Sequence, residues 1–203
     1  MTYYICILDF EATCWADSRN DSIREIIEFP SVLYKINWKA ESEFVSEFSA
    51  YVKPVRSPVL SEFCIKLTGI TQANVDKADT FEVVYANHYK WLCEHVPDLN
   101  KLIMFTCGYW DLRVMLPLET SRYKLKLHYC YKKYVNVSDA FNFLYNKNAG
   151  GMANMLVKLG IELEGRHHSG IDDSRNIAKI VLQMIADGMT YKDFVVFYPK
   201  GLT

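Results

Sequence analysis

Asp9 and Glu11 lie two residues apart at the end of an apolar run, Ile5-Cys6-Ile7-Leu8. If that run is a strand, its side chains alternate between faces and both carboxylates point the same way. Two acids on one face of a buried strand are costly unless positive charge sits between them, and a pair of divalent cations supplies it. An Asp-x-Glu pair by itself also fits the edge of a sheet; the apolar approach favours the buried reading. Asp111 follows a second apolar run, in Cys107-Gly108-Tyr109-Trp110-Asp111. Taken alone, Asp111 reads better as a helix N-cap or first-turn acid favoured by the helix dipole, although Gly108 permits close backbone approach. The third group is Arg166-His167-His168-Ser169-Gly170-Ile171-Asp172-Asp173-Ser174. Here four residues separate His168 from Asp173. A tight turn at Gly170 sets a histidine on a loop over an acid that opens the next helix. Asp172 reads as a helix cap and His167 as a surface loop residue.

These groups need elements to hold them. Tyr3 to Thr13 is rich in Ile and Tyr and predicts a buried central strand. The polar stretch Ala16 to Ser22 predicts a hairpin loop, Ile23 to Ile36 a second strand with a bulge or local edge at Pro30, and Glu43 to Val52 a third. Short connections make these an antiparallel meander. Ser61 to Leu67 predicts a short helix ending in a turn at Thr68-Gly69-Ile70, and Phe81 to His95 an amphipathic helix with Thr80 as N-cap. Leu102 to Thr106 predicts another buried strand, Asp111 to Leu118 the start of a helix, and Val135 to Val137 a last strand. Helices are expected over Ser138 to Tyr145, Met152 to Leu159 and Ser174 to Asp187, with Gly160 and Gly188 as stops. The whole predicts an α/β fold, a mixed sheet covered by helices.

The 203 residues suit a single domain, and half of them are hydrophobic, which excludes a disordered chain. A net charge of −1 gives no general attraction to polyanions, so contact with nucleic acid must come from a local basic patch, from metals or from stacking. Six scattered cysteines suggest neither a zinc site nor a disulfide framework, and point to reduced thiols in an intracellular compartment, cytoplasm or nucleus. The apolar runs are broken by charges before a bilayer span. Tyr3–Leu8 lacks a basic leader and a cleavage site, so it reads as a strand and not as a signal peptide.

The order of the motifs, an acid pair on the first strand, an acid after a later strand and His-x4-Asp near the end, resembles the DEDDh exonucleases of the DnaQ-like, ribonuclease-H-like superfamily. Leu8-Asp9-Phe10-Glu11-Ala12-Thr13-Cys14-Trp15, Glu25-Ile26-Ile27-Glu28-Phe29-Pro30, Phe63-Cys64-Ile65-Lys66-Leu67-Thr68-Gly69-Ile70-Thr71-Gln72 and His168 to Asn176 are similar to the enhanced-RNAi exonuclease family. The histone-mRNA 3′-exonuclease and Snipper belong to that family, and the resemblance runs from about Tyr3 to Gly188. It implies a ribonuclease-H-like sheet, antiparallel in its first three strands and then parallel, with helices on both faces. It also implies a 3′-to-5′ exoribonuclease that releases nucleoside 5′-monophosphates. Asp9, Glu11, Asp111 and Asp173 match the metal-binding acids and His168 the general base. Two Mg²⁺ ions, with Mn²⁺ as substitute, about 3.5–4 Å apart would hold the scissile phosphate. Imidazole, with an unperturbed pKa of about 6.5, accepts a water's proton at neutral pH. Phe63, Leu67, Thr68 and Trp110, with Ala12 and Thr13, match positions lining the pocket for the terminal nucleotide. For Phe63 and Trp110 ordinary core packing is an equal alternative.

The chain also departs from the family. No counterpart of the SAP domain of the histone-mRNA enzyme, nor of a C-terminal zinc module, is expected here, so stem-loop recognition has no visible basis. Tyr134 and Ser138 stand where family members often carry a tryptophan and a basic residue. The stretch Arg122-Tyr123-Lys124-Leu125-Lys126 through Lys132-Lys133-Tyr134 either guides an incoming backbone or is a solvated helix face and loop. The expected substrate is nucleic acid with a free 3′ end, RNA favoured, single-stranded or as a 3′ overhang, and no membrane. Two rival readings remain: an exonuclease that prefers DNA or takes both, and an idle nucleic-acid-binding adaptor.

Overall fold

The computed structural model describes residues 2–17, 23–37 and 41–199; the expected hairpin loop at Ala16 to Ser22 falls mostly outside them. The first strand, β1 (Thr2–Ile7), pairs antiparallel with β3 (Ile26–Asn37), which pairs antiparallel with β4 (Glu41–Tyr51). This is the expected meander. On its other edge β1 pairs in parallel with β5 (Leu102–Thr106), and β5 in parallel with β6 (Tyr134–Asn136). The two-residue strand β2 (Glu11–Ala12) was not expected from the sequence. Ile7 pairs with Val32 and Glu11 with Glu28, so β2 resumes the register of β1 along the same edge of β3. That register sets Pro30 opposite Asp9. Proline has no N–H to give the ladder, and the pairing lapses there.

Alternation along β1 builds two cores. Cys6, Leu8 and Phe10 pack on one face with Leu102 and Met104, under α3 (Phe81–His95) and α4 (Leu116–Arg122). Ile5 and Ile7 pack on the other with Ile103 and Phe105, under α5 (Val137–Tyr145), α6 (Met152–Leu159), α7 (Gly170–Ala186) and α8 (Tyr191–Val195). Asp9 and Glu11 continue the odd-numbered series, so they emerge on the face of α7 as the apolar core ends. Two short helices, α1 (Glu62–Thr68) and α2 (Gln72–Asp76), link the meander to α3. The Ser61 hydroxyl caps α1 by accepting from Cys64 N, and Gly69 at φ 78° closes it. Among the described residues no helix is long and apolar enough to cross a membrane.

Most element ends agree with the sequence within a few residues; three differences bear on the site. The helix expected from Asp111 is a π-helical turn, Trp110–Met115, that leads into α4; Leu116 N reaches back five residues to Asp111 O. Strand β6 ends at Asn136, because its side chain accepts from Ser138 N and starts α5. Helix α7 begins at Gly170 and not at Ser174, so Asp173 lies inside its first turn. Its apolar periodicity starts later, which hides that first turn in the sequence.

Gly170 lies against the sheet: a Cβ there would stand 2.6 Å from Asp9 O and 2.9 Å from Pro30 Cγ. Gly170→Ala is therefore expected to lower the stability of the chain by about 1–3 kcal/mol, the usual cost of overpacking. Ser169→Ala, at an N-cap whose side chain makes no capping bond, should stay within about 0.5 kcal/mol. Urea denaturation of the two variants checks this.

Candidate active site

The carboxyl ends of the parallel strands β1 and β5 meet the N-terminus of α7, and the acids gather there. Carboxylate oxygens of Asp9, Glu11 and Asp173 lie within 4.8 Å of one another. Asp111 is not part of that trio: its Oδ1 accepts the Phe10 N–H at 2.9 Å. That bond carries on the β1–β5 ladder, in which Leu8 N donates to Phe105 O just before. Asp111 thereby stands beside Asp9, and its charge is felt by both Asp9 and Glu11.

Burial and mutual repulsion dominate the electrostatics. Asp9 is held well above the usual carboxylate range by desolvation, then by Asp111, Glu11 and Asp173. Glu11 is pushed up to about 9 by burial and by Glu28. Burial raises Asp111 to about 6, opposed by the Phe10 N–H, and raises Asp173, opposed by the N–H of His168. Among the described residues no lysine or arginine pairs with Asp9, Glu11 or Asp173. Asp173 Oδ1 is buried with no hydrogen-bond partner. Several unpaired carboxylate oxygens converging at the end of a buried strand are a donor set that fits hard divalent cations.

The loop before α7 is fixed by its own acid. His168 takes φ 68°, a left-handed conformation few side chains adopt, and its N–H donates to Asp173 Oδ2 at 2.9 Å. His167, which the sequence reads as a surface loop residue, also lies near Asp173. The two imidazoles stack with centroids 4.1 Å apart, and His167 Nε2 lies 4.0 Å from Asp173 Oδ2. Burial lowers the His168 pKa, helped by His167 and Arg166, which keeps its ring neutral near pH 7. The Arg166 guanidinium donates to Lys66 O at 2.7 Å and Leu67 O at 3.2 Å, so the loop is tied to the end of α1.

A cavity of about 190 Å³ adjoins the acids, with Glu11, Ala12, Thr13, Leu67 and Trp110 in its wall. Phe63 and Thr68 do not line it. The Phe63 ring is exposed, and Thr68 is buried, with its hydroxyl donating to Cys64 O and accepting from Ile70 N. A larger cleft of about 430 Å³ over β4, α2 and α3 includes none of the acids. The basic stretch at 122–134 is divided. Tyr131 and Tyr134 are buried in the core, while Lys124, Lys126 and Tyr129 face solvent.

Two residues of the site escaped the sequence. Arg24 stands in the cavity wall. Glu28, buried on β3 opposite Glu11, accepts Gly170 N at 3.0 Å and Ile171 N at 3.3 Å. A signal existed in the odd charge within Ile26-Ile27-Glu28-Phe29, an otherwise apolar strand segment.

Several known proteins resemble this chain over most of its length. A model of the exonuclease family RNase_T matches residues 6–181. Human ERI1 exoribonuclease 2 is 36% identical over 207 residues, which cover 93% of this chain and 29% of that protein. Rat 3′-5′ exoribonuclease 1 is 39% identical over 188 residues, 91% of this chain and 54% of that protein. The chain thus spans about a third and about half of the length of these relatives. Among solved structures, the nuclease domain of 3′hExo, a DEDDh family member, bound to rAMP, superposes with a TM-score of 0.84 at 39% identity, covering 92% of this chain and 94% of that one. Cell-death related nuclease 4 (CRN-4) superposes with a TM-score of 0.83 at 28% identity, covering 91% and 64%.

A carboxyl raised in the folded chain keeps its proton after the unfolded chain has lost it. Stability without divalent cations should therefore fall as pH climbs from the ordinary range of Glu11 toward about 9. Saturating Mg²⁺ should flatten that slope, because ions bind the deprotonated form. Titrating the chain with Mg²⁺ near pH 7 in buffers of different ionisation enthalpy should show proton release; uptake, or no exchange, would contradict the raised values.

Proposed function

The chain belongs to the DEDDh exonuclease family of the ERI1 exoribonucleases and 3′-5′ exoribonuclease 1, and on that premise we propose that it is a metal-dependent 3′-to-5′ exoribonuclease releasing nucleoside 5′-monophosphates. The observation that carries the reading is the convergence of Asp9, Glu11 and Asp173, with Asp111 beside Asp9, unpaired by any lysine or arginine among the described residues. A binding module has no use for such a costly arrangement. RNA is favoured because these relatives are named exoribonucleases and the neighbouring nuclease domain was crystallised with rAMP.

Asp9, Glu11, Asp111 and Asp173 would hold two divalent ions, Mg²⁺ or Mn²⁺. When bound, the ions supply positive charge to the scissile phosphate and acidify the attacking water. The cavity beside Glu11 takes the terminal nucleotide, with the Trp110 ring and Leu67 as apolar walls that accept any base. His168, neutral near pH 7, takes the water's proton on its imidazole. Its left-handed backbone is held by Asp173, so base and acid are placed by one bond. The partner is a nucleic acid with a free 3′ end, single-stranded or a 3′ overhang. The single domain spans the whole of 1–203.

The test is a time course on matched single-stranded RNA, single-stranded DNA, 3′-overhang duplexes and circular RNA with Mg²⁺. Stepwise shortening from the 3′ end, release of 5′-monophosphates, loss of activity in EDTA and intact circles are expected. Linearised circles, or activity in EDTA, would overturn the reading; faster loss of DNA would move the substrate while keeping the site. His168→Ala should cost about 10²–10⁴-fold in rate with cation binding retained, and His167→Ala far less. Equal damage from both, with His167 stacked 4.1 Å away, would reassign the base.

A further inference from the structure

We propose that Glu28 is a positioning residue, one that sets the His168–Asp173 segment against the strand acids without itself holding a cation. The proposal rests on the exonuclease reading of this site. Glu28 is buried on β3, across from Glu11 on one side and Tyr51 on the other. Both of its oxygens are engaged: Oε2 accepts Gly170 N at 3.0 Å and Oε1 accepts Ile171 N at 3.3 Å. These are the first two N–H groups of α7, which no turn of the helix can satisfy. The local N-cap does not serve them, since the Ser169 side chain makes no capping bond. A carboxylate delivered from a strand 142 residues earlier does so instead.

Two observations favour this role over that of a fifth ligand. Both Glu28 oxygens are occupied by N–H groups at the start of α7, whereas Asp173 keeps a buried oxygen without a partner. The helix end is also fitted to the strand by shape. A Cβ on Gly170 would lie 3.1 Å from Glu28 Oε2 as well as against Asp9 O. Thus one side chain and one missing side chain fix α7 at Asp9. His168 N, Gly170 N and Ile171 N are all held by carboxylates, two of them by Glu28.

Glu28→Gln tests the role. It keeps the volume but turns an NH₂ toward one of the two N–H donors. Glu28→Asp keeps the charge but shortens the reach, and serves also if the glutamine variant does not fold. Three quantities are read on the full chain: kcat and KM on single-stranded RNA, Mn²⁺ affinity by calorimetry, and hydrogen exchange at residues 168–171 without metal. Expected for Glu28→Gln are a drop in kcat of about 10–100-fold, KM and Mn²⁺ affinity within about threefold, and exchange at least about tenfold faster at 168–171 while the cores of α3 and β5 stay protected. Glu28→Asp should fall between the variant and the parent chain. Unchanged exchange, or unchanged kcat despite faster exchange, would overturn the proposal. Loss of Mn²⁺ binding in step with kcat would make Glu28 a ligand and overturn it too. If the parent chain shows no metal-dependent shortening, the exonuclease reading fails by itself, and the exchange measurement still decides whether Glu28 fixes the loop.

Discussion

Like charges must be held together at the carboxyl ends of β1 and β5, and much of the surrounding structure bears on that constraint. Burial raises Asp9, Glu11, Asp111, Asp173 and Glu28 together, and each carboxylate adds to the cost of its neighbours. Left flexible, such acids would turn outward to water. They stay because the backbone fixes them. Asp9 and Glu11 extend the parity that buries Ile5 and Ile7, Asp111 is tied to Phe10 N, and Asp173 stands in the first turn of α7 on the same face that buries Ile177, Ile180 and Met184 in the core. The hydrophobic burial of two faces of the sheet is thus what keeps a repulsive cluster assembled.

The lapse in pairing between β1 and β2 belongs to the same arrangement. Pro30 opposite Asp9 withholds one donor on the β3 edge, while on the other edge Leu8 N donates to Phe105 O and Phe10 N to Asp111 Oδ1. The missing N–H on β3 and the π-helical turn at Trp110–Met115 are separate irregularities in the sequence order that meet at one place in space.

The parity of Asp9 and Glu11, the meander and the His-x4-Asp segment are legible in the sequence, because each rests on local spacing or an apolar run, while the parallel direction of the later strands follows from the family resemblance. What is not legible depends on partners far along the chain. The sequence starts α7 four residues late because Glu28, far along the chain, holds its first N–H groups. Asp111 alone reads as a first-turn acid until Phe10 is seen beside it. His167 reads as a bystander because spacing says nothing of two rings stacking over one carboxylate.

Asp172 and Asp173 show how far apart two adjacent acids can be driven. Both stand in the first turn of α7, where the helix dipole favours negative charge. Asp172 is turned outward. Its Oδ2 accepts Arg166 N at 3.0 Å, and its Oδ1 takes Arg175, which also reaches Glu47 on β4 at 2.7 Å. It is a strut between the histidine loop and the edge of the sheet. Asp173, about 100° further round the helix, faces the strand acids with one oxygen on His168 N and the other on nothing. Same residue type, same dipole and same turn give a structural tie in one case and an unsatisfied acceptor oxygen in the other. What separates them is which side of the helix meets β1, and that is decided at Gly170, where the absent side chain lets the helix lie on Asp9.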